Sequence, residues 1–316
     1  MQTPQLNVPT VHILLASYQG ELYLKEQLAS LSLQTYSQWQ LHVSDDGSND
    51  STPQIVAEFA RTSPQAVHLC NGPGKGATHN FFHLINTVAA SNPADLFAFC
   101  DQDDVWVPNK LANAVTHFKA QTLAPSQPYL YCSRTIVVDH LLVQRGLTPL
   151  PRKPLGFGNA LLQNIASGNT MVFNQALLQI LRLINPQHSV LHDWTAYQAA
   201  TGCGGIVYFD ERASIKYRQH TANVVGSNAG LISQMRRLRF MLQGGYKHWS
   251  LQTIQAMHQI SPRLTAQNLT ILNEFAAIHS MSNPYRRFLL SVNGRFWRQS
   301  RLGQASFAFA LLFNLI

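Results

Sequence analysis

Residues 95–104, DLFAFCDQDD, join a short apolar run to a dense group of carboxylates. The run Asp95–Cys100 has the length and composition of a buried strand. Three similar runs precede it, at Val11–Ser17, Trp39–Ser44 and Ala66–Cys70, and a stretch predicted to be helical follows each one. This β-α-β-α-β-α-β-α order with short connections predicts an α/β fold with a mostly parallel, doubly wound sheet and helices on both faces.

Polar clusters follow all four predicted strands, at the point where each strand ends. In doubly wound sheets, ligands bind beyond the carboxyl ends of the strands. The sequence therefore predicts one crevice lined by Ser17-Tyr18, Asp45-Asp46, Asn71–Gly76 and Asp101–Asp104.

The last cluster, Asp101-Gln102-Asp103-Asp104, has three carboxylates within four residues. These would repel one another unless a cation holds them, and Mg²⁺ and Mn²⁺ prefer oxygen ligands. The cluster predicts a divalent metal site that also contacts substrate phosphates. A solvated acidic turn that caps a helix is the alternative.

The two middle clusters are candidates for binding a nucleotide. A carboxylate of Asp45 or Asp46 can accept a hydrogen bond from a pyrimidine base or a ribose hydroxyl, whereas the alternative is an Asx turn. The glycines of Asn71–Gly76 allow close approach to a phosphate, with Lys75 as a cation; a plain turn is again the alternative. Neither a Walker loop nor G-x-G-x-x-G is present, which argues against a mononucleotide kinase and a nicotinamide enzyme.

The triplet His192-Asp193-Trp194 opens a predicted helix that runs to Ala200 and stops at Gly202. An aspartate at a helix start is most often a cap. An inverting sugar transfer, however, needs a carboxylate that takes the proton from the attacking hydroxyl. Asp193 is therefore a candidate general base, with Trp194 as a surface on which a sugar stacks.

Arg218 and His220 follow a further predicted strand, Ile206–Ile215. Either side chain is a candidate for contacting a diphosphate or a metal ion. Because His220 stands outside any metal-ligand spacing, a structural role is its alternative.

Taken together, several motifs resemble glycosyltransferase family 2, which has the GT-A fold, over about residues 10–228. They are LLASYQGELYLKEQLASL, VSDDGSNDST, FCDQDDVWVPNKL, SGNTMVF, LHDW and YRQH. The opening ASYQGELYLKEQL, the HDW triplet and the tail YRQHTANVVG are similar to bacterial rhamnosyltransferase-like members.

The resemblance implies a Mg²⁺- or Mn²⁺-dependent, inverting transfer of one sugar, rhamnose from dTDP-rhamnose, to a saccharide or lipid-linked saccharide of a surface polysaccharide. A UDP-hexose or UDP-N-acetylhexosamine donor stays open. A Q-x-x-R-W motif and a long apolar run are absent, which argues against a processive synthase. A nucleotidyltransferase and a non-catalytic nucleotide-sugar-binding module are the alternatives from other functional classes.

The resemblance also implies a role for each matching residue. Those facing the nucleotide and the donor sugar are Ala16, Ser17, Tyr18, Asp45, Asp46, Lys75, Asn80, Asp101, Ser167, Gly168, Asn169 and Arg218. Asp103, Asp104 and His220 would bind the metal. His192 and Trp194 would face the acceptor, and Asp193 would be the general base.

Charge divides the chain near residue 229. Residues 1–229 have 13 Lys or Arg and 14 Asp or Glu, whereas residues 230–316 have 10 Lys or Arg and only Glu274. We therefore predict a catalytic domain over 1–229 and a basic, amphipathic helical segment over 230–316. The segment favours an anionic membrane surface, and the alternatives are an ordinary helical subdomain with a solvated basic face or a homodimer contact. Nucleic acid is disfavoured because no recognition motif is present.

The start of the chain, residues 1–10, lacks an apolar signal-peptide core, so we expect a cytoplasmic protein, peripheral at the inner face of the plasma membrane. The four cysteines form no C-x-x-C pair, which argues against zinc and disulfide frameworks. We expect them to be small core residues.

Overall fold

The computed structural model describes residues 8–90, 92–219, 239–241 and 243–316, which fold into one large sheet flanked by helices. The strands are β1 Val11–Ser17, β2 Trp39–Asp45, β3 Val67–Asn71, β4 Leu96–Asp101, β5 Val105–Trp106, β6 Tyr129–Val138, β7 Gln144–Leu147, β8 Val172–Asn174 and β9 Ile206–Arg218. The principal helices are α1 Leu24–Ser32, α2 Thr52–Thr62, α3 Ala77–Thr87, α4 Lys110–Lys119, α5 Phe157–Ala160, α6 Gln175–Leu181, α7 His192–Gly202, α8 Gly245–Gln259, α9 Ala266–Ala277, α10 Pro284–Val292 and α11 Arg301–Leu312.

The strand order is β3-β2-β1-β4-β8-β6-β9-β5, with β7 beside β6. The first four strands in this order are parallel, as predicted. Beyond β4 the sheet is mixed, because β8 runs antiparallel to both β4 and β6 while β6 and β9 are parallel. The predicted α/β class with helices on both faces is confirmed, and the continuous group of parallel strands consists of β3, β2, β1 and β4.

Side-chain alternation along β1 builds two hydrophobic cores, one on each face of the sheet. Leu14 lies in the core that α3, α6 and α7 cover. Ile13 and Leu15 lie in the core that α1, α2 and α4 cover. Because successive residues of a strand point to opposite faces, an unbroken apolar strand such as β1 can belong to both cores.

The register of the parallel strands brings the predicted polar ends together. Ser17 pairs with Asp45, Ala16 with Asp101, and Asp45 with Asn71. The edge strand β3 is largely exposed, and so is its Cys70, which corrects the expectation that every cysteine is a core residue. Cys100 and Cys132 are buried as expected.

The helices beyond residue 244 pack directly onto the sheet. Met257 of α8, Phe275 of α9 and Leu311 of α11 belong to the same hydrophobic core as Leu14 of β1. The predicted boundary at residue 229 lies outside the described residues. Within the described ranges, no helix combines the length and the apolar composition needed to cross a bilayer.

Candidate active site

Asp45 and Ser17, at the ends of two neighbouring strands, bond to each other. The Ser17 hydroxyl donates to Oδ1 of Asp45 (3.0 Å). The Ser48 backbone N–H donates to Oδ2 of Asp45 (2.8 Å), and its hydroxyl donates to Oδ1 (2.6 Å). Asp45 thus forms an Asx turn, which is the structural alternative to a nucleotide contact. It also shapes the floor of the crevice.

Asp46 holds the glycine-rich loop that follows β3. Its two carboxylate oxygens accept the backbone N–H groups of Gly74 and Gly76, both at 2.7 Å. Gly74 and Gly76 adopt φ of 66° and 86°, values that favour glycine. Lys75, between them, is exposed. Each carboxylate oxygen of Asp46 retains a second acceptor position for a nucleotide.

Asn80 ties the ends of β1 and β2 together. Its amide nitrogen donates to the carbonyl of Ser44 (2.8 Å) and lies 3.4 Å from that of Ser17. Its amide oxygen is buried without a hydrogen-bond partner among the described residues. A Cβ on Gly72 would lie 2.6 Å from that oxygen, so glycine is required there. The unpaired oxygen is an acceptor that a nucleotide N–H group can satisfy.

Gln102 connects the β4 end to Tyr18 in the turn after β1. The Tyr18 backbone N–H donates to its side-chain oxygen (2.9 Å), and its amide nitrogen donates to the Tyr18 carbonyl (2.8 Å). The Tyr18 ring is exposed and Ala16 is half-buried at this mouth of the crevice. The predicted base and ribose pocket residues therefore meet the carboxylate cluster at one place.

Asp101 and Asp103 are half-exposed at the end of β4, whereas Asp104 is fully buried. Burial raises the pKa of Asp101 to about 8, with the negative charges of Asp103 and Asp193 acting in the same direction. Burial, followed by the charges of Asp103 and Asp101, also raises the pKa of Asp104 well above its ordinary value. Several carboxylates thus lie close enough to raise one another's pKa.

Asp104 and Asn169, predicted to contact the metal and the donor sugar, bond to each other behind the crevice. The Asn169 amide donates to Oδ2 of Asp104 (2.6 Å), and the backbone N–H of Arg218 donates to Oδ1 (3.1 Å). Asp104 therefore accepts hydrogen bonds from two other elements and supports the end of β4. Asn169, which is also buried, holds Asp104 in place.

Arg218, which is predicted to contact the donor diphosphate, is buried. Its guanidinium donates to the Asp103 carbonyl (2.9 Å) and the His140 carbonyl (2.6 Å), and it also bonds to Glu26. It lies 4.4 Å from the centroid of the Tyr23 ring. Arg218 thus fixes the backbone at Asp103. His220 lies outside the described residues.

Lys110, which the sequence analysis did not single out, lies fully buried beneath the carboxylates. Its ammonium donates to the Asn169 carbonyl and lies 3.5 Å from the centroid of the Trp106 ring. Burial lowers its pKa to about 7, against the attraction of Asp104 and Asp101. The sequence contained one indication that Lys110 is unusual, because a lysine in the first turn of a helix is disfavoured by the helix dipole.

Asp193 lies in the first turn of α7, half-buried and in the same crevice. The Gly168 backbone N–H donates to its Oδ2 (3.0 Å), and the Trp194 backbone N–H donates to its Oδ1 (2.7 Å). Burial raises the pKa of Asp193, although these bonds and one from the Asn164 side chain oppose the rise. The position and the raised pKa fit a carboxylate that accepts a proton.

Three residues near Asp193, namely Gly168, Asn164 and Ser167, complete this wall of the crevice. A Cβ on Gly168 would lie 2.9 Å from Cβ of Asp193 and 2.9 Å from Nε2 of His192, so only glycine fits without displacement. The amide oxygen of Asn164 is buried without a hydrogen-bond partner among the described residues. Ser167, half-buried, bonds to the Asn169 side chain (2.8 Å). The sequence around Asn164 contains no motif that would have predicted its place in the site.

His192 and Trp194, the residues predicted to face the acceptor, are both buried. The His192 ring stacks on Phe81 (centroids 3.7 Å apart) and meets Phe99 edge-on. The Trp194 indole N–H donates to the Ala160 carbonyl (2.6 Å). Both residues are at least nine-tenths buried. Because α7 is buried on most sides, only Asp193 of the triplet faces the crevice.

The carboxylates at the β4 end are compatible with a divalent cation. Among the described residues, no three His, Cys, Asp or Glu side chains converge as a complete metal site. A Mg²⁺ ion, however, is usually held by one or two carboxylates together with substrate phosphates. Asp103 and Asp101 can supply those oxygens, and a cation there would relieve the repulsion that raises the pKa of Asp101.

Comparison with known proteins identifies relatives with sugar-transfer activities. Residues 12–177 match the family described as Glycosyl transferase family 2. The chain is 29% identical over 241 residues to dTDP-rhamnosyl transferase RfbG of Shigella flexneri, covering 74% of this chain and 81% of the relative. It is 29% identical over 169 residues to the UDP-Glc:alpha-D-GlcNAc-diphosphoundecaprenol beta-1,3-glucosyltransferase WfgD of Escherichia coli, covering 53% of this chain and 61% of that enzyme.

Two solved structures share the fold. One is S. aureus TarS 1-349 in complex with UDP-GlcNAc, with a TM-score of 0.54 at 14% identity, covering 96% of this chain and 91% of that one. The other is the mannosyltransferase PcManGT from Pyrobaculum calidifontis in complex with GDP-Man and Mn²⁺, with a TM-score of 0.54 at 17% identity, covering 97% and 88%. The predicted GT-A fold is confirmed.

Proposed function

This chain belongs to glycosyl transferase family 2, and on that premise we propose that it transfers one rhamnose from dTDP-rhamnose to a hydroxyl of a growing, lipid-linked surface polysaccharide. The likeness to RfbG, named as a dTDP-rhamnosyl transferase, supports the donor. The name of WfgD contains a diphosphoundecaprenol acceptor, which supports a lipid-linked acceptor here. Because the chain is a glycosyltransferase, the nucleotidyltransferase and non-catalytic alternatives are set aside.

The grouping of Asp193 with Asp101 and Asp103 in one crevice is the observation on which this function depends. Asp101 is the last residue of β4 and Asp103 follows it, whereas Asp193 lies in the first turn of α7. Burial, followed by the charges of Asp103 and Asp193, raises the pKa of Asp101. The proposed inverting transfer needs two groups. One is a metal site that holds the donor diphosphate, and the other is a base that receives the acceptor hydroxyl on the opposite face of the sugar. The two elements supply these groups separately.

Asp193 is the proposed general base. Its Oδ2 is oriented by the Gly168 N–H, and its raised pKa brings the carboxylate closer to the pH at which it works. It would take the proton of the acceptor hydroxyl as that oxygen attacks the anomeric carbon, with inversion. The unpaired Asn164 oxygen, close to the same carboxylate, would accept a hydrogen bond from the acceptor sugar.

Asp103 and Asp101 would hold Mg²⁺ or Mn²⁺ with the donor diphosphate. When bound, the cation neutralises the negative charge that develops on the leaving nucleoside diphosphate. Asp104, Arg218 and Lys110 would act from behind by fixing this strand end. Asp46, Asn80 and Lys75 would face the nucleotide.

A thermal-shift screen of donors tests the donor and the metal together. We expect dTDP-rhamnose with Mn²⁺ to raise Tm by more than dTDP-rhamnose alone, UDP-glucose, UDP-galactose, UDP-N-acetylglucosamine or GDP-mannose. A donor at 100 times its Kd stabilises by about 2.7 kcal/mol. Asp103→Asn should remove the dependence on Mn²⁺. A larger rise in Tm with UDP-glucose would identify UDP-glucose as the donor instead. No rise in Tm with any donor would overturn the proposal.

The site also has a proposed location. The basic carboxyl-terminal segment supports a cytoplasmic protein held peripherally at the inner face of the plasma membrane, where a lipid-linked acceptor would be available.

A further inference from the structure

We propose that the outer faces of α10 and α11 bind directly to an anionic phospholipid bilayer. The two helices pack against each other through Arg287, whose guanidinium donates to the Leu311 carbonyl (2.8 Å) and also contacts the Met281 carbonyl. Their other faces are exposed. This docking surface, defined as the exposed residues of Pro284–Val292 and Arg301–Leu312 with Phe313, is apolar to an unusual degree.

Helix α10 presents an apolar stripe to solvent. Tyr285, Leu289 and Val292 are exposed at 66%, 42% and 62%. Their spacing of i, i+4 and i+7 places them on one side of the helix, opposite the buried Arg287 and Ser291. An amphipathic helix usually buries its apolar stripe in the protein, whereas here part of the apolar surface faces outward.

Helix α11 carries the same pattern further. Leu302 is 82% exposed, and Phe309 and Phe313, whose rings stack 4.5 Å apart, are 44% and 61% exposed. The residues buried against the protein, Phe307 and Leu311, lie on the opposite side. From Leu302 to Leu312 the helix contains no charged residue. Isolated exposed apolar side chains are ordinary, but aligned ones on two packed helices mark an interaction surface.

Charge decides between a bilayer and a second copy of the chain as the partner. Residues 239–316 include eight Lys or Arg but only one acidic residue, Glu274, which pairs with Arg295. Arg286 and Arg301 are exposed beside the apolar residues. Two such cationic surfaces repel each other, whereas anionic headgroups attract both. Aromatic and leucine side chains flanked by arginine are typical of helices that lie in the membrane interface.

The docking surface does not depend on which sugar is transferred, although its purpose rests on the proposed lipid-linked acceptor. Removal of the whole segment is a poor test, because Phe275 and Leu311 belong to the core shared with the sheet. Substitution of exposed residues leaves that core intact.

Vesicle sedimentation with the full chain tests the docking surface. We expect the protein to bind vesicles of equal parts phosphatidylglycerol and phosphatidylcholine, and to bind pure phosphatidylcholine at least about tenfold more weakly. Combining Leu302→Glu, Phe309→Glu and Phe313→Glu should weaken binding to the anionic vesicles at least about tenfold. Leu183→Glu, at an exposed leucine outside the docking surface, is the matched control and should bind as the unaltered chain does.

Three results would overturn the proposal. If the triple variant binds anionic vesicles normally, these three residues do not contact the bilayer. If the protein binds both vesicle types equally, anionic headgroups do not contribute to binding. A dimer in sedimentation velocity that the triple variant dissociates would assign the surface to a second copy. Turnover with a water-soluble acceptor separates this test from the proposed function, since the triple variant should retain it.

Discussion

Single side chains at the crevice divide into those that face it and those that support it, and Asp193 belongs to the first group. We expect Asp193→Asn to lower kcat by about 10²- to 10⁴-fold, because the amide cannot take the acceptor proton. Its oxygen can still accept the Gly168 N–H, so the fold and donor binding should persist. Nucleoside diphosphate release measures kcat, and calorimetry with the donor measures binding. Normal turnover in the variant would remove Asp193 as the base.

His192 illustrates the second group and gives a pH prediction. Burial lowers its pKa to about 3 from the ordinary 6.5. Its neutral ring therefore contributes stability that is present above pH 6.5 and is lost as the pH falls toward 3, by about 2 kcal/mol at pH 5. We expect His192→Phe to show a smaller loss of unfolding free energy between pH 7 and pH 5, measured by urea denaturation. The comparison is between the pH-dependent losses of the two proteins and not between their absolute stabilities, because Phe also changes the packing. An equal loss in both proteins would contradict this account.

At the scale of elements, the 3₁₀ turn Gly168–Thr170 sets the position of α7. A Cβ on Gly168 would meet both Asp193 and His192 at 2.9 Å, so Gly168→Ala should displace the start of α7. Because a shift of about 1 Å can lower activity about 10²-fold, we expect kcat to fall by about 10- to 100-fold. Gly146→Ala, where a Cβ meets nothing within 4 Å, is the matched control. Equal activity in the two variants would exclude this positioning role.

Comparing the predicted strands with the observed ones shows which parts of the fold could be predicted from the sequence. The four parallel strands were predictable within one residue, because apolar runs and turn residues are local signals. In the mixed half only β9 was predicted, as Ile206–Ile215, whereas β8 was not, because it joins β4 to β6 through pairings between distant residues. The burial of His192 and Trp194 depends likewise on helices packed around α7. Local patterns therefore located the crevice, whereas tertiary packing decided which of its residues face it.

For the molecule as a whole, the shared core joins the basic helices to the catalytic sheet. Phe275 of α9 is almost fully buried in that core. We expect Phe275→Ala to lower the free energy of unfolding by about 3–5 kcal/mol. Unfolding should remain one transition by both circular dichroism and tryptophan fluorescence. Leu183→Ala, at a half-exposed surface position, should change stability by less than about 0.5 kcal/mol. Two separate transitions would show that the helices unfold independently.

The pairing of Ser17 with Asp45 and of Ala16 with Asp101 has a consequence for refolding. A slip of β1 by one residue would exchange the side chains of its two cores and would also separate the carboxylates from their partners. A chain with misaligned strands would then retain much of its helical signal but have no assembled crevice. Recovered turnover therefore measures correct alignment directly, and it distinguishes native molecules from compact, misaligned ones that spectroscopy would count together.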